Sequence, residues 1–468
     1  MPGTFAGIAI ASSALNVDQT VLDVIGNNVA NVNTPGYSRQ TVDIGATTPI
    51  TTIVNAPSPV QLGTGVQTLA INRATDSFLS NRILAANGTN SQAAQLQSTL
   101  DRVQSVYGEP SSSSLSSLMT AFYNSFQTLS GNAESTALRT TVIQNANALT
   151  DQFKQVNSGL NAITTDLKSG IQSDLTQVNN LAKQIASLNQ QVMSGVANNE
   201  HPNGLLDQRD QLIQQLGQIV GVTTSQDIGP NGQPDGMLNV SVGGAILVQG
   251  VQSVSIPTQT TSINGEPYLT DGTNQIKLTG GSLAGMVQGI DKVTQYQSDL
   301  NQVASTLISQ VNGVHEAGYG LDGQTGRAFF QGSDAASITV NPDIASDPTK
   351  IAAATPPAAG QSTAPANGDN ALAIADLMNA QVFGNDTLLS HYNASIAQIG
   401  ADDQSAKTAV TNQTQLLQQL QNMQSSVSGV SLDEEMTNLM QYQRSYQAAA
   451  KMLTTMNSLM DSLLNLVQ

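Results

Sequence analysis

The sequence predicts a mainly α chain with an inserted β domain, and three observations carry that prediction. Both ends bear an apolar stripe at alternating three- and four-residue spacing. A third stripe of the same kind runs from Leu138 to Val192. Only residues 223–282 change to two-residue alternation with Gly-Gly and Asn-Gly turn signals. At 468 residues the chain has room for two to four domains.

In chain order, the first stripe is Ile8, Ala11, Leu15, Leu22, Ile25, Val29 and Val32, with Asp18 as its one break. This is the seam pattern of a coiled coil. The helix meets a firm stop in "ANVNTPGYSRQ" at 30–40. Pro35 biases Thr34 away from helical dihedrals, and Pro35-Gly36 suits the centre of a type II turn. After the serine run 111–114, Leu115, Leu118, Phe122, Phe126 and Leu129 mark a short helix that stops at Gly131. The stripe from Leu138 to Val192 has one polar step, Asn145, and predicts a single rod of roughly 80 Å if Gly159 and Gly170 do not break it. "LNVSVGGAILVQG" and the β-branched residues after it predict the β domain.

Further helices are predicted over Tyr296–Val314 and Leu416–Val427, and the Pro/Ala/Gly-rich segment 341–370 reads as a loop or outlying excursion. The last stripe is Leu439, Tyr442, Tyr446, Ala449, Leu453, Met456, Met460, Leu463 and Val467, without a break. "VSLDEEM" opens that helix, with Ser431 as N-cap, Glu434 at the capping-box position, and Asp433 and Glu435 near the positive helix end. The terminal helices are expected to pair as a coiled coil, closing a long helical bundle made by the N- and C-terminal arms. The expected domains are 1–60 with 425–468, then 61–222 with 283–424, and the insert 223–282.

The net charge of −17, with no Lys/Arg cluster, disfavours a nucleic-acid partner. The absence of cysteine rules out disulfides, thiolate catalysis and thiolate metal sites. The N-terminus lacks the basic region of a secretory signal, and no window reads as a membrane span, so the chain is expected to be cytoplasmic or exported by a route that uses no cleaved signal.

Charged residues make up only 10% of the chain against a typical quarter. Between Met436 and Gln468 they are Arg444, Lys451 and Asp461, and before Arg39 they are Asp18 and Asp23. A two-stranded coil facing water carries Glu and Lys beside its seam; here those faces hold Ser, Thr, Asn, Gln and Ala. Nine stripe positions do not by themselves offset the ordering of the helix that bears them. The two ends are therefore expected to be frayed in a single molecule and to fold on assembly. The expected exchange pattern is fast before about residue 40 and beyond about 425.

"ALNVDQTVLDVIGNNVANVNTPGYSRQ" resembles the N-terminal signature shared by bacterial flagellar rod, hook and hook-associated proteins. "SLDEEMTNLMQYQRSYQAAAKMLTTMNSLMDSLLNLV" resembles the C-terminal signature of the hook-associated protein 1 family, and two interior blocks, "NGLLDQRDQLIQQL" at 203–216 and "QVNGVHEAGYGLDGQTGRAFF" at 310–330, agree with that resemblance. The resemblance implies an inner domain of paired terminal helices lining an axial tube, a second domain of long helices, and an outermost β domain. It implies an extracellular place at the hook–filament junction, reached unfolded through the flagellar type III exporter. The implied partners are further copies of the chain, the hook protein, hook-associated protein 3 and a cytoplasmic export chaperone at the C-terminal helix. Asn31, Asn33, Pro35, Gly36, Tyr37 and Arg39 are assigned on that footing to contacts with the adjoining layer or a neighbouring subunit. The alternative is that they form a plain helix stop and turn.

Other motifs carry less. "GYGLDG" at 318–323 fits a glycine-rich nucleotide pattern only formally, because no βαβ unit surrounds it. "HE" at 315–316 lacks a second histidine four residues on, and the three histidines are scattered, so no metal is expected. "LLDQRD" offers Asp207, Arg209 and Asp210 as a solvated or interdomain ion-pair cluster. A structural, non-enzymatic protein without cofactor is the leading expectation. A hydrolase on a helical stalk is the competing class, and a hook protein or hook-associated protein 3 the competing family members.

Overall fold

The computed structural model describes residues 4–52, 60–198, 200–228, 234–257, 259–356 and 367–465. Helix α1 (Thr4–Ala30) is followed by strands β1 (Gln40–Ala46), β2 (Ile50–Thr52), β3 (Val60–Leu62) and β4 (Val66–Arg73). Helices α2 (Ser77–Tyr107), α3 (Leu115–Ser130), α4 (Thr136–Ala197) and α5 (Asn203–Ile219) come next. Strands β5 (Val222–Ile228), β6 (Pro234–Val242), β7 (Ala245–Gln249), β8 (Gln252–Ser253), β9 (Gln259–Ile263), β10 (Glu266–Thr270) and β11 (Gln275–Lys277) precede α6 (Gly281–His315). The chain ends with α7 (Pro342–Ser346), α8 (Asp369–Asp376), α9 (Leu388–Ser428) and α10 (Leu432–Asn465). It divides into two compact units: Met1–Thr89, Gln177–Ile256 and Gln413–Gln468 in the first, Asn90–Thr176 and Pro257–Asn412 in the second.

In the first unit α1 and α10 lie side by side and antiparallel. A Cβ on Gly7 would touch Met456, and Asn28 bonds Glu435, so facing residues sum to 463 at both ends of the pair. Val17, Val21 and Ile25 form the apolar centre, against which Val29, Leu439 and Tyr442 pack together with Val42 of β1 and Val66 of β4. Helix α1 is thus covered on two sides, by α10 and by the antiparallel β1–β4 ladder. Hence Ala11, Val17, Val21, Val24 and Ile25 are its buried apolar residues, while Leu15, Leu22, Val29 and Val32 are only half-buried. Asp18, the break in the stripe, is itself buried. Leu79, Ile83 and Ala86 of α2 pack with Leu417 and Leu420 of α9 in a second small core. Leu416, Met423 and Val427, expected on the apolar face of α9, are exposed.

Two expectations are corrected here. Over Phe5–Ala30, α1 is long and apolar enough to cross a membrane, with mean hydropathy 1.3, because Asp18 and Asp23 are its only charges. The core helix of a soluble protein passes the same test, and this one buries a face against α10. The β region is not one insert. Strands β5–β8 form a four-stranded sheet in the first unit, and β9–β11 a three-stranded sheet in the second. Local alternation marks strands but does not say which strands share a sheet.

In the second unit α4 runs on without a break at Gly159 and Gly170, where side chains of other helices come close. A Cβ at Gly159 would lie 2.7 Å from Val106, and one at Gly170 3.1 Å from Met286. Helix α3 has the expected start, with Ser114 accepting from the Ser117 N–H. Its Phe122 and Phe126 meet Phe329 and Phe330 in an edge-packed aromatic cluster. His315 touches Phe329 and is fully buried. Its Nε2 accepts from the Ala352 N–H at 2.9 Å, so Nδ1 carries the proton and donates to the Arg327 carbonyl at 2.7 Å.

The segment read as a loop is therefore packed from 341 to 356. Ile344, Ile351, Ala352, Ala353 and Ala354 are buried, and the buried Arg139 guanidinium donates to the Ile351 carbonyl at 2.6 Å. Alanines in a Pro-rich stretch read as spacer, yet here their backbone is bonded to His315, Tyr319, Asn370 and Ala371. Residues 357–366 lie outside the described residues.

Candidate assembly interface

The N-terminal stop forms as its residues dictate. Helix α1 ends at Ala30, the Tyr37 N–H closes onto the Thr34 carbonyl at 3.2 Å, and Gly36 takes φ +80°, which a type II turn requires at its third residue. The turn sends the chain back along the end of α1. There the buried Asn28 takes both backbone groups of Gln40, its Oδ1 accepting from N–H and its Nδ2 donating to C=O, each at 2.9 Å. Nδ2 also donates to Glu435 Oε2 at 3.2 Å, and the Tyr37 hydroxyl lies 2.8 Å from Asn28 Oδ1. Burial, with Asp207 and Glu435 nearby, pushes the Tyr37 phenol up to about 12.

The interior block at 203–216 supplies the other wall. Arg73 reaches Asp207 at 2.8 Å and Asp210 at 2.9 Å, and the Ser38 N–H donates to Asp207. The two carboxylates outweigh burial and raise the Arg73 pKa. Arg209 points the other way around α5, donating to the Gly236 carbonyl at 2.6 Å and to Asn189 at 3.1 Å; burial lowers its pKa. Asn189 in turn donates to the carbonyls of Leu238 and Gly250, tying α4 to the four-stranded sheet. The block expected to be a solvated or interdomain cluster is a mostly buried anchor inside one unit.

Glu434 and Glu435, two of the three acids that open α10, are engaged in the same place. Arg39 pairs with Glu434 at 3.0 Å, and the Arg39 N–H donates to the Ser428 carbonyl. Ser431 does cap the helix, its carbonyl accepting from Glu435 at 2.9 Å and its Oγ lying 3.5 Å from the Glu434 N–H.

The sequence-selected residues thus separate into two groups. Tyr37 and Arg39, half-buried, are engaged within their own chain, while Asn33, Pro35 and Gly36 face outward and Asn31 bonds back to Asn27. Along α10, Leu439, Tyr442, Ala449, Leu453, Met456 and Met460 are half-buried towards α1, and Tyr446 is exposed. The Leu463 side chain and Val467 lie outside the described residues. Sequence reasoning missed Asn28. Consecutive asparagines inside a helix, where this residue competes with the backbone, were the available signal.

The faces away from the seam remain open and charge-poor, and they carry exposed apolar side chains among their Ser, Thr, Asn and Gln. Phe5 is 72% exposed, Met436 48%, Met440 53% and Leu459 50%. The cleft of about 680 Å³ beside the turn is lined by Tyr37, Ser38, Arg73, Arg209 and Asp210 among other polar groups, with no histidine in its wall. Among the described residues no three His, Cys, Asp or Glu side chains gather as metal ligands.

Both ends of the chain, the segments that pair as α1 and α10, match models of the flagellar rod and hook class of structural proteins. The family model for flagella basal body rod protein matches residues 8–37, and that for the C-terminal region of the flagellar basal body rod proteins matches 420–466. The helical domain of flagellar hook-associated protein FlgK matches 100–330. Flagellar hook-associated protein 1 of Salmonella typhimurium is 30% identical, with 97% of this chain and 99% of that protein aligned. The Bacillus subtilis protein of the same name is also 30% identical, over 99% of each. The chain belongs to the flagellar hook-associated protein 1 family. Its fold is shared with the flagellar hook junction protein FlgK of Burkholderia pseudomallei, at a TM-score of 0.64 and 17% identity over 74% of this chain and all of that one.

Proposed function

We propose that this chain is a structural part of the bacterial flagellum, forming the junction between hook and filament by self-assembly through α1 and α10. The observation that carries the reading is the α1–α10 pair, closed on one seam and open on charge-poor flanks that carry exposed apolar side chains. A water-facing pair would hold Glu and Lys there; such flanks are suited to further protein. Its neighbours are further copies of itself, with the hook protein on one side and hook-associated protein 3 on the other. Before export without a cleaved signal, a cytoplasmic chaperone covers α10. Asn33, Pro35 and Gly36 meet the neighbouring layer, and the role is mechanical, without catalysis.

Deletion of the gene tests the reading. Cells are expected to carry hooks without filaments and to lose unpolymerised flagellin to the medium. Hookless cells would assign the chain to the hook instead, and normal filaments would remove it from the junction.

A further inference from the structure

We propose that Asn264 is a site of spontaneous covalent modification, losing its side-chain amide to attack by the backbone nitrogen of Gly265, with water as the only co-reactant. The site is set by the β9–β10 hairpin and is independent of the assembly reading.

An asparagine followed by glycine closes this ring most readily, because glycine puts no side chain beside the attacking nitrogen. Solvent base takes the Gly265 N–H proton, and the nitrogen forms a bond to Asn264 Cγ. The side-chain nitrogen takes up a proton and leaves as ammonia, giving a five-membered imide. One water then opens the imide. Opening at the Cγ carbonyl leaves aspartate; opening at the main-chain carbonyl leaves an isoaspartyl linkage, in which the chain runs through Cγ.

The chain has six Asn-Gly pairs, and the fold withholds the reaction from four of them. Asn87-Gly88 lies inside α2, where the glycine N–H is bonded along the helix. Asn203 is buried and donates to the Ile71 carbonyl at 2.8 Å. Asn312, inside α6, donates to the Phe330 carbonyl at 2.9 Å and accepts from the Phe329 and Phe330 N–H groups. Asn367 donates to the Thr355 hydroxyl and accepts from the Asp369 N–H, while Gly368 sits against the Ser130 carbonyl. The pair at 231–232 lies outside the described residues.

Asn264 has none of these restraints. Strands β9 and β10 pair Ile263 with Glu266, leaving Asn264 and Gly265 as a two-residue turn. Their φ values of +53° and +79° are positive at both central positions, as a type I′ turn needs. Both residues are exposed, and a Cβ on Gly265 would meet nothing within 4 Å. Among the described residues neither the Asn264 amide nor the Gly265 N–H makes a hydrogen bond. The exposed tip can reach the attack geometry by local fluctuation, whereas the other four must first break the bonds that hold them. Both products place a carboxylate beside Glu266, already paired with Lys277 at 3.1 Å. The isoaspartyl form also adds one backbone atom to a turn whose length fixes the strand register.

The test is incubation of the folded full-length chain in warm, mildly alkaline buffer, with peptide mass spectrometry reading the change from amide to acid at each Asn-Gly pair. Conversion at Asn264 is expected to run at least about tenfold ahead of that at Asn87, Asn203, Asn312 and Asn367. In concentrated urea, where the fold no longer shields those four, the five rates are expected to converge. An unreacted Asn264 in the folded chain, a rate no faster than the other four, or an equal lead in urea would overturn the proposal.

Discussion

Asn28 of α1 donates to Glu435 of α10 at 3.2 Å, joining the two ends of the chain across 407 positions, and both residues are buried. The same amide holds both backbone groups of Gln40. One side chain thus fixes the register of the terminal pair and the return of the chain after the turn.

Replacing Asn28 with Ala strands the Gln40 backbone groups and the Glu435 carboxylate together. Unmade buried bonds cost about 1–3 kcal/mol each, more for a charge, so Asn28→Ala is expected to cost at least about 3 kcal/mol. Glu435→Gln, which keeps an acceptor, should cost under about 1 kcal/mol. Urea unfolding of the first unit, followed by hydrogen exchange of α1, separates them; equal losses would show that the bond is not the lock.

Arg73 has the opposite vulnerability, since it neutralises two acids. Arg73→Met leaves Asp207 buried beside Asp210 without a cation, an arrangement that costs about 3–5 kcal/mol. Adding Asp207→Asn should recover a large part of that loss. No recovery in thermal melts of the double variant would mean that Arg73 acts through packing alone.

Gly36 at φ +80° is the one position in the turn that rejects a side chain on backbone grounds. Gly36→Ala should cost about 1 kcal/mol, whereas Pro35→Ala should cost less. Because Gly36 is exposed, the loss should appear in stability even in dilute monomer, and an unchanged melting curve would count against the type II turn.

His315 gives the second unit a pH dependence between 6.5 and 4. Burial lowers its pKa from 6.5 to about 4, so the unfolded chain takes up this proton first. Its neutral form contributes stability in full above pH 6.5, and about 3 kcal/mol is lost as pH falls from 6.5 to 4. Melting of His315→Gln should be lower at pH 7 and nearly flat across that window. A slope as steep as wild type would place the titration elsewhere.

The terminal pair should open from one end. The polar lock of Asn28, Glu435, Arg39 and Glu434 sits at the turn end, while among the described residues no hydrogen bond or ion pair joins α1 to α10 at the end where Gly7 faces Met456. Amide exchange in the monomer is therefore expected to be fastest at residues 4–15 and 450–465 and to slow towards Asn28. Uniform protection along α1 would show that the ends need no partner copies to hold their shape.

The helices were legible because helical burial repeats within a few residues. Stripes around Leu138–Val192 and Tyr296–Val314, the serine cap of α3, and the stop at Pro35-Gly36 all follow from local spacing and local backbone limits. So did the shortage of charge on the terminal helices, which pointed to assembly.

Contacts between distant segments were decided only in the fold. Which half of the β region joined which sheet, why Asp207 faces Arg73 while Arg209 turns to Gly236, and that Tyr37 and Arg39 serve their own chain depend on partners far away in sequence. The same holds for Ile351 and Ala352, whose backbone groups are met by Arg139 and His315 from far along the chain. Periodicity records which face of a segment is greasy, a property of adjacent residues; what covers that face is set by chain topology, which no short stretch contains.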